Sequence, residues 1–149
     1  MAIKSTMTAA VFERVGVLNV KEISIPEINN PEEVLIKVEA VSICGTDVGG
    51  LSVPPKFNFK EGIVIGHECA GIVDEIGESV TNVKPGDKVV VHPNIWCGKC
   101  YYCRTGHTNL CENFKHVGDS RDGAMAEYLC VPEKLVYVIS KEVPAHIAC

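Results

Sequence analysis

Hydrophobic positions along most of this chain fall in short runs, several of them alternating with polar residues and broken by proline or glycine. Thr8-Ala9-Ala10-Val11-Phe12 and Leu18 to Ile23 predict two strands joined by a turn around Gly16. Pro26 and the Asn29-Asn30-Pro31 cluster break the chain before the next element. From Glu33 to Val41, Val34, Ile36 and Val38 share one face while Glu33, Leu35, Lys37 and Glu39 share the other. That alternation predicts a half-buried strand, and it delivers the chain to Cys44. The runs Ile63-Val64-Ile65 and Ile72 to Ile76 flank a Gly66-His67-Glu68 step, and Lys88 to Val91 and Glu127 to Val131 are further short strands. Lys84-Pro85-Gly86-Asp87 reads as a turn and Val53-Pro54-Pro55-Lys56 as an irregular loop. Before the C-terminus no helix-period segment exceeds two turns. The pattern predicts a mainly β, largely antiparallel domain with one inserted lobe.

Composition narrows the class. The chain has 149 residues, 46% hydrophobic and 22% charged, enough for one domain with a real core. A net charge of −5 gives no basic footprint, which argues against nucleic acid as a partner. Met1 to Phe12 has no long apolar core, and no run is long enough to cross a bilayer, so neither a signal peptide nor a membrane partner is expected and the protein is expected in the cytoplasm. Eight cysteines are many for such a chain. Their tight clustering favours metal binding over disulfides.

Four of them, Cys97, Cys100, Cys103 and Cys111, form a C-x2-C-x2-C-x7-C run. Thiolates at such spacing can close on one tetrahedral zinc, with Gly98 and Gly106 supplying tight turns. An iron–sulfur cluster also takes four cysteines, but ferredoxin-like runs place proline after the last one, and here Glu112 follows. A second set of donors lies upstream. Cys44-Gly45-Thr46-Asp47 offers a thiolate, a hydroxyl and a carboxylate, and His67 and Glu68 sit at the boundary between two apolar runs. Thiolate and neutral imidazole are ligands that zinc prefers, so Cys44 and His67 make a candidate open metal site. Cys69 and Cys130 read as core cysteines, and His92, His107 and His116 have no nameable ligand partner. Phe57, Phe59 and Trp96 could line a pocket, although packing explains such aromatics as well.

Written out, the central stretch is G-H-E-x2-G-x5-G-x2-V, and the cysteine run reads G-K-C-x2-C-x2-G-x2-N-L-C. Both resemble the zinc-containing alcohol dehydrogenases, the medium-chain dehydrogenase/reductase superfamily, and the resemblance covers essentially the whole chain. It implies a GroES-like, partly closed β-barrel over residues 1–149 with a structural zinc lobe at about 92–116. It also implies that Cys97, Cys100, Cys103 and Cys111 hold the structural zinc, and that Cys44 and His67 are two of three ligands of a catalytic zinc. Thr46 then takes the proton of the alcohol, Asp47 orients the ligating His67, and Glu68 is the acid beside it that approaches the metal when coordination changes. The third ligand falls near the end of this chain, where Cys149 is the candidate, or else an acid beyond it.

The reaction implied is oxidation of a primary or secondary alcohol or polyol by NAD or NADP, with a lean toward the polyol and threonine dehydrogenase branch. The G-x-G-x-x-G of the family's cofactor-binding Rossmann domain is absent, so the chain reads as the N-terminal catalytic part of a larger homo-oligomeric enzyme, inactive by itself. The histidine that ends the proton relay in many members has no counterpart in Val48-Gly49-Gly50. The alternative is a zinc-stabilised β-barrel binding module without catalysis, akin to the co-chaperonin of the same fold.

Overall fold

The computed structural model describes residues 5–149. β1 (Thr6–Arg14) and β2 (Val17–Ser24) lead into β3 (Glu33–Ser42), which runs directly to a short helix, α1 (Gly45–Leu51). β4 (Ile63–Val64), β5 (Glu68–Ile76) and β6 (Lys88–Val91) follow. An excursion then carries β7 (Asn94–Ile95), α2 (Tyr101–Arg104) and β8 (Lys115–His116). The chain returns through β9 (Tyr128–Pro132) and β10 (Val136–Val138) to α3 (Ala145–Ala148).

All strand pairings are antiparallel. One sheet has the order β2-β1-β4 and the larger has the order β10-β6-β5-β3-β9, with β7 and β8 closing the base of the excursion. An Ala9–Ala126 bridge and the Ala10 N–H on Met125 O at 2.8 Å stitch the two sheets into a curled half-barrel. The mainly β, GroES-like architecture expected from the sequence is the one observed.

β3 departs from the simple alternation. Val34, Leu35 and Ile36 are all buried, although Leu35 had been assigned to the polar face. The strand is flanked on both edges, by β5 and β9, and the register slips between Leu35 and Ile36 and again between Val38 and Ala40. Each slip adds twist and curls the sheet over its core. That core gathers Val34, Ile36, Val73, Val89, Leu129, Val131 and Leu135, from five segments of the chain. Each such side chain contributes about 1.5–3 kcal/mol on burial. Phe59 belongs to a smaller cluster, edge-on to Phe12 at 5.5 Å, so it packs rather than lining a cleft. At the rim, the Arg121 guanidinium donates to Glu33 Oε1 at 2.7 Å and to Cys130 O at 2.9 Å, fastening the segment after β8 to the larger sheet.

Gly66 sets where His67 lies. Its φ is +89°, and a Cβ there would stand 2.5 Å from Met125 Cγ. Gly118 and Gly123 press on its other side: a Cβ on Gly123 would come within 2.2 Å of Gly66 O. Backbone therefore packs on backbone at the residue before the histidine. Gly86 has nearly the same φ, +85°, but open space around it. Replacement of Gly86 by alanine should cost about 1–2 kcal/mol from left-handed strain alone. Gly66→Ala should add a further ~1–3 kcal/mol of overpacking, and chemical denaturation of the two variants checks the difference. Equal losses would show that the Gly66 contact is slack.

Candidate metal centres

β3 ends at Ser42, and Cys44 stands at the N-terminal cap of α1 in an extended conformation (φ −81°, ψ 155°). Two residues into the helix, Thr46 Oγ1 lies 3.6 Å from Cys44 Sγ. Asp47, only 2% exposed, turns one oxygen back on the helix start, where Oδ2 accepts the Cys44 N–H at 2.9 Å. Its other oxygen, Oδ1, is buried without a hydrogen-bond partner and faces His67 Nδ1 at 3.7 Å. That separation exceeds a hydrogen bond, but a buried carboxylate oxygen needs a donor, and the imidazole is the group before it. A proton held on Nδ1 leaves Nε2 as the ring's metal-binding nitrogen.

His67 sits between β4 and β5, and Glu68 opens β5. Ligand atoms of Cys44, His67 and Glu68 all lie within 4.8 Å of one another. A thiolate, an imidazole and a carboxylate at that spacing suit a zinc ion with a coordination position left over. Cys149 does not join this group. It lines the same cleft from the end of α3, with its Sγ 3.3 Å from Ser42 Oγ. Burial pushes the nearby Cys69 thiol up to about 12, with Cys149 adding to the shift, so Cys69 stays a protonated core residue as expected.

The cleft beside the open site has a volume of about 600 Å³. It is lined by Val90, Val91, Pro93 and Tyr137 together with His67 and Glu68. His92 and His116 also reach it. The ring of His116 stands edge-on to His67 at 4.7 Å between centroids. Burial lowers its pKa despite the opposing charge of Asp119, which favours the neutral ring. Neither histidine was legible in sequence as a cleft residue, because His92 lies in the loop after β6 and His116 in the two-residue β8, neither with a pattern of its own. Trp96 packs on the main core and edge-on to His92, while Phe57 is exposed.

Cys97, Cys100, Cys103 and Cys111 form the second group, again with all sulfurs within 4.8 Å of one another. Gly98 and Gly106 take φ of +74° and +84°, as tight turns between ligands require. Backbone N–H groups aim at the sulfurs: Cys97 N–H reaches Cys111 Sγ at 3.3 Å, and Cys100 N–H reaches Cys97 Sγ at 3.4 Å. The N–H groups of Lys99 and Cys100 pull Cys97 down to about 6. Those of Cys103 and Glu112 lower Cys100 as well. Burial, then the neighbouring sulfurs, push Cys103 up to about 12. Main-chain dipoles favour thiolates that crowd one another, a conflict that a thiophilic dication at the centre removes.

The two groups should differ in tenacity, since one offers four thiolates and the other three mixed donors. A mild chelator should strip the Cys44–His67 site first and leave about one zinc per chain, and Cys100→Ser should lose that remaining metal together with much of its thermal stability. Metal analysis by mass spectrometry reads both. Two zincs held equally against the chelator, or a C100S variant with unchanged metal and Tm, would contradict the assignment.

Comparison with known proteins places the chain in a family. The L-threonine 3-dehydrogenase of Caldanaerobacter subterraneus is 48% identical over 145 residues, which are 95% of this chain and 41% of that protein. Galactitol-1-phosphate dehydrogenase of Escherichia coli superposes with a TM-score of 0.87 at 32% identity, covering 93% of this chain and 40% of that one. A cobalt- and zinc-bound thermostable alcohol dehydrogenase of Pyrobaculum aerophilum gives 0.85 at 33% identity, over 96% and 44% of the two chains. The chain thus spans about two fifths of the length of these proteins. The profile of the alcohol dehydrogenase GroES-like domain matches residues 30–141, so the chain belongs to that domain family, which the zinc-type alcohol dehydrogenases share.

Proposed function

We propose that this chain holds the metal and the substrate of a zinc-dependent NAD(P)+ alcohol dehydrogenase acting on an alcohol or polyol. The observation that carries the proposal is the buried Asp47, which joins the Cys44 N–H to the ring of His67 and so arranges three donors around one point. A binding module without chemistry has no use for such a set. The lengths of its relatives and the lack of a dinucleotide fingerprint here support a cofactor domain supplied by further chain.

Cys44, His67 and Glu68 would hold the zinc, with Cys149 or an acid further on as another ligand. Zinc, when bound, acts as a Lewis acid that makes the substrate hydroxyl easier to deprotonate. Thr46 Oγ1, next to Cys44 Sγ, takes that proton and passes its own outward. Because Val48, Gly49 and Gly50 offer no base, the proton leaves through water or the cofactor's ribose. A bound NAD(P)+ would supply the hydride acceptor that lets the alcohol carbon become a carbonyl. His67 is kept in its metal-binding tautomer by Asp47 and wedged by His116.

On the same reading the enzyme is cytoplasmic and homo-oligomeric and binds neither membrane nor nucleic acid. The acidic charge, the exposed Ile147 of α3, and the lack of a long apolar helix among the described residues support this. In the enzyme that carries this chain, Thr46→Val should lower kcat by about a hundredfold or more with zinc content unchanged, and Thr46→Ser should restore most of it. Full alcohol oxidation by T46V, or by a Cys44→Ser variant, would contradict the proposal.

A further inference from the structure

His92 is the cleft residue for which neither the metal sites nor the core has a use. It follows β6 directly, and its own N–H donates to Leu135 O at 2.8 Å, so its main chain is anchored. The ring is fixed at both ends. Nδ1 accepts the Asn94 N–H at 3.2 Å, and the ring stands at 90° to that of Trp96, 5.9 Å between centroids. An acceptor at Nδ1 puts the imidazole proton on Nε2. Among the described residues no hydrogen bond engages Nε2, and the residue lines the cleft that also holds His67 and Glu68. Its chain neighbours in the lining, Val90, Val91 and Pro93, carry no side-chain donor, so His92 brings an oriented N–H donor to that stretch of the cleft.

Resting on the dehydrogenase reading above, we propose that His92 is a substrate-recognition residue of this cleft, its Nε2–H donating to a second oxygen on the carbon next to the one oxidised. The ligand class is the vicinal diol or its equivalent, not the simple alkanol. An alkanol would lay a methyl group against the imidazole N–H and strip it of water without replacing the bond. His92 is exposed, so the discrimination is that of one solvated hydrogen bond, about fivefold, and not that of a sealed pocket.

The test uses the whole chain with zinc in the four-cysteine group and cobalt in the open site alone, where the visible absorption of cobalt reports on that site. Propane-1,2-diol and propan-1-ol are titrated against the wild type, His92→Phe and His92→Gln. The wild type should bind the diol about fivefold more tightly than the mono-alcohol. H92F should bring that ratio close to one while leaving the mono-alcohol affinity where it was, and H92Q, which keeps a donor, should retain most of the preference. A ratio unchanged in H92F would assign the preference to chelation by the metal and overturn the role of His92 alone. If neither alcohol perturbs the cobalt spectrum of the wild type, the open metal site itself is wrong, and the proposal falls with it.

Discussion

A buried carboxylate that must satisfy two partners organises this domain. Asp47 is withdrawn from water, and leaving either oxygen unpaired there costs about 1–3 kcal/mol. One oxygen is satisfied by the Cys44 N–H, which pins the start of α1. The other has no hydrogen-bond partner and faces the ring of His67 at 3.7 Å, in the turn between β4 and β5. Helix and turn are thereby held at a separation that brings a thiolate, an imidazole and a carboxylate together. Loss of the carboxylate would remove the one side chain that reaches from the start of α1 toward His67.

The main chain around His67 is held as tightly as its side chain. Gly66 is clasped by Gly118 and Gly123 from the segment that returns after the cysteine excursion. Through these glycines the four-cysteine group is coupled to the open site without sharing a ligand with it. A cation that orders the excursion also orders its return and so fixes the backbone that presents His67. The two candidate metal groups share no ligand, but the packing joins them.

Much of this was legible in the residues. The strand from Glu33, the strand from Lys88 and the four-cysteine run follow from alternation and spacing, which are local properties. Cys44, His67 and Glu68 were legible as ligands by type and motif, and the fold brings them together. α1 was not legible. Three of its seven residues are glycine, a poor helix former, and the helix exists because the rings of Phe57 and Phe59 close over Gly49 and Gly50, where any Cβ would collide with them. Leu35 was misplaced because a strand paired on both edges buries both faces where it crosses the middle of the sheet. His116 reaches the cleft from the two-residue β8 and His92 from the loop just past β6, and only tertiary structure reveals that.

The central claim is that two separate cation sites exist in one small β domain, one closed and one open. Anomalous X-ray scattering at the zinc edge, from crystals of the zinc-loaded chain, tests it most directly. The account predicts two peaks, one enclosed by Cys97, Cys100, Cys103 and Cys111 and one bounded by Cys44, His67 and Glu68. A single peak within the four-cysteine group, with none between Cys44 and His67 at saturating zinc, would contradict it.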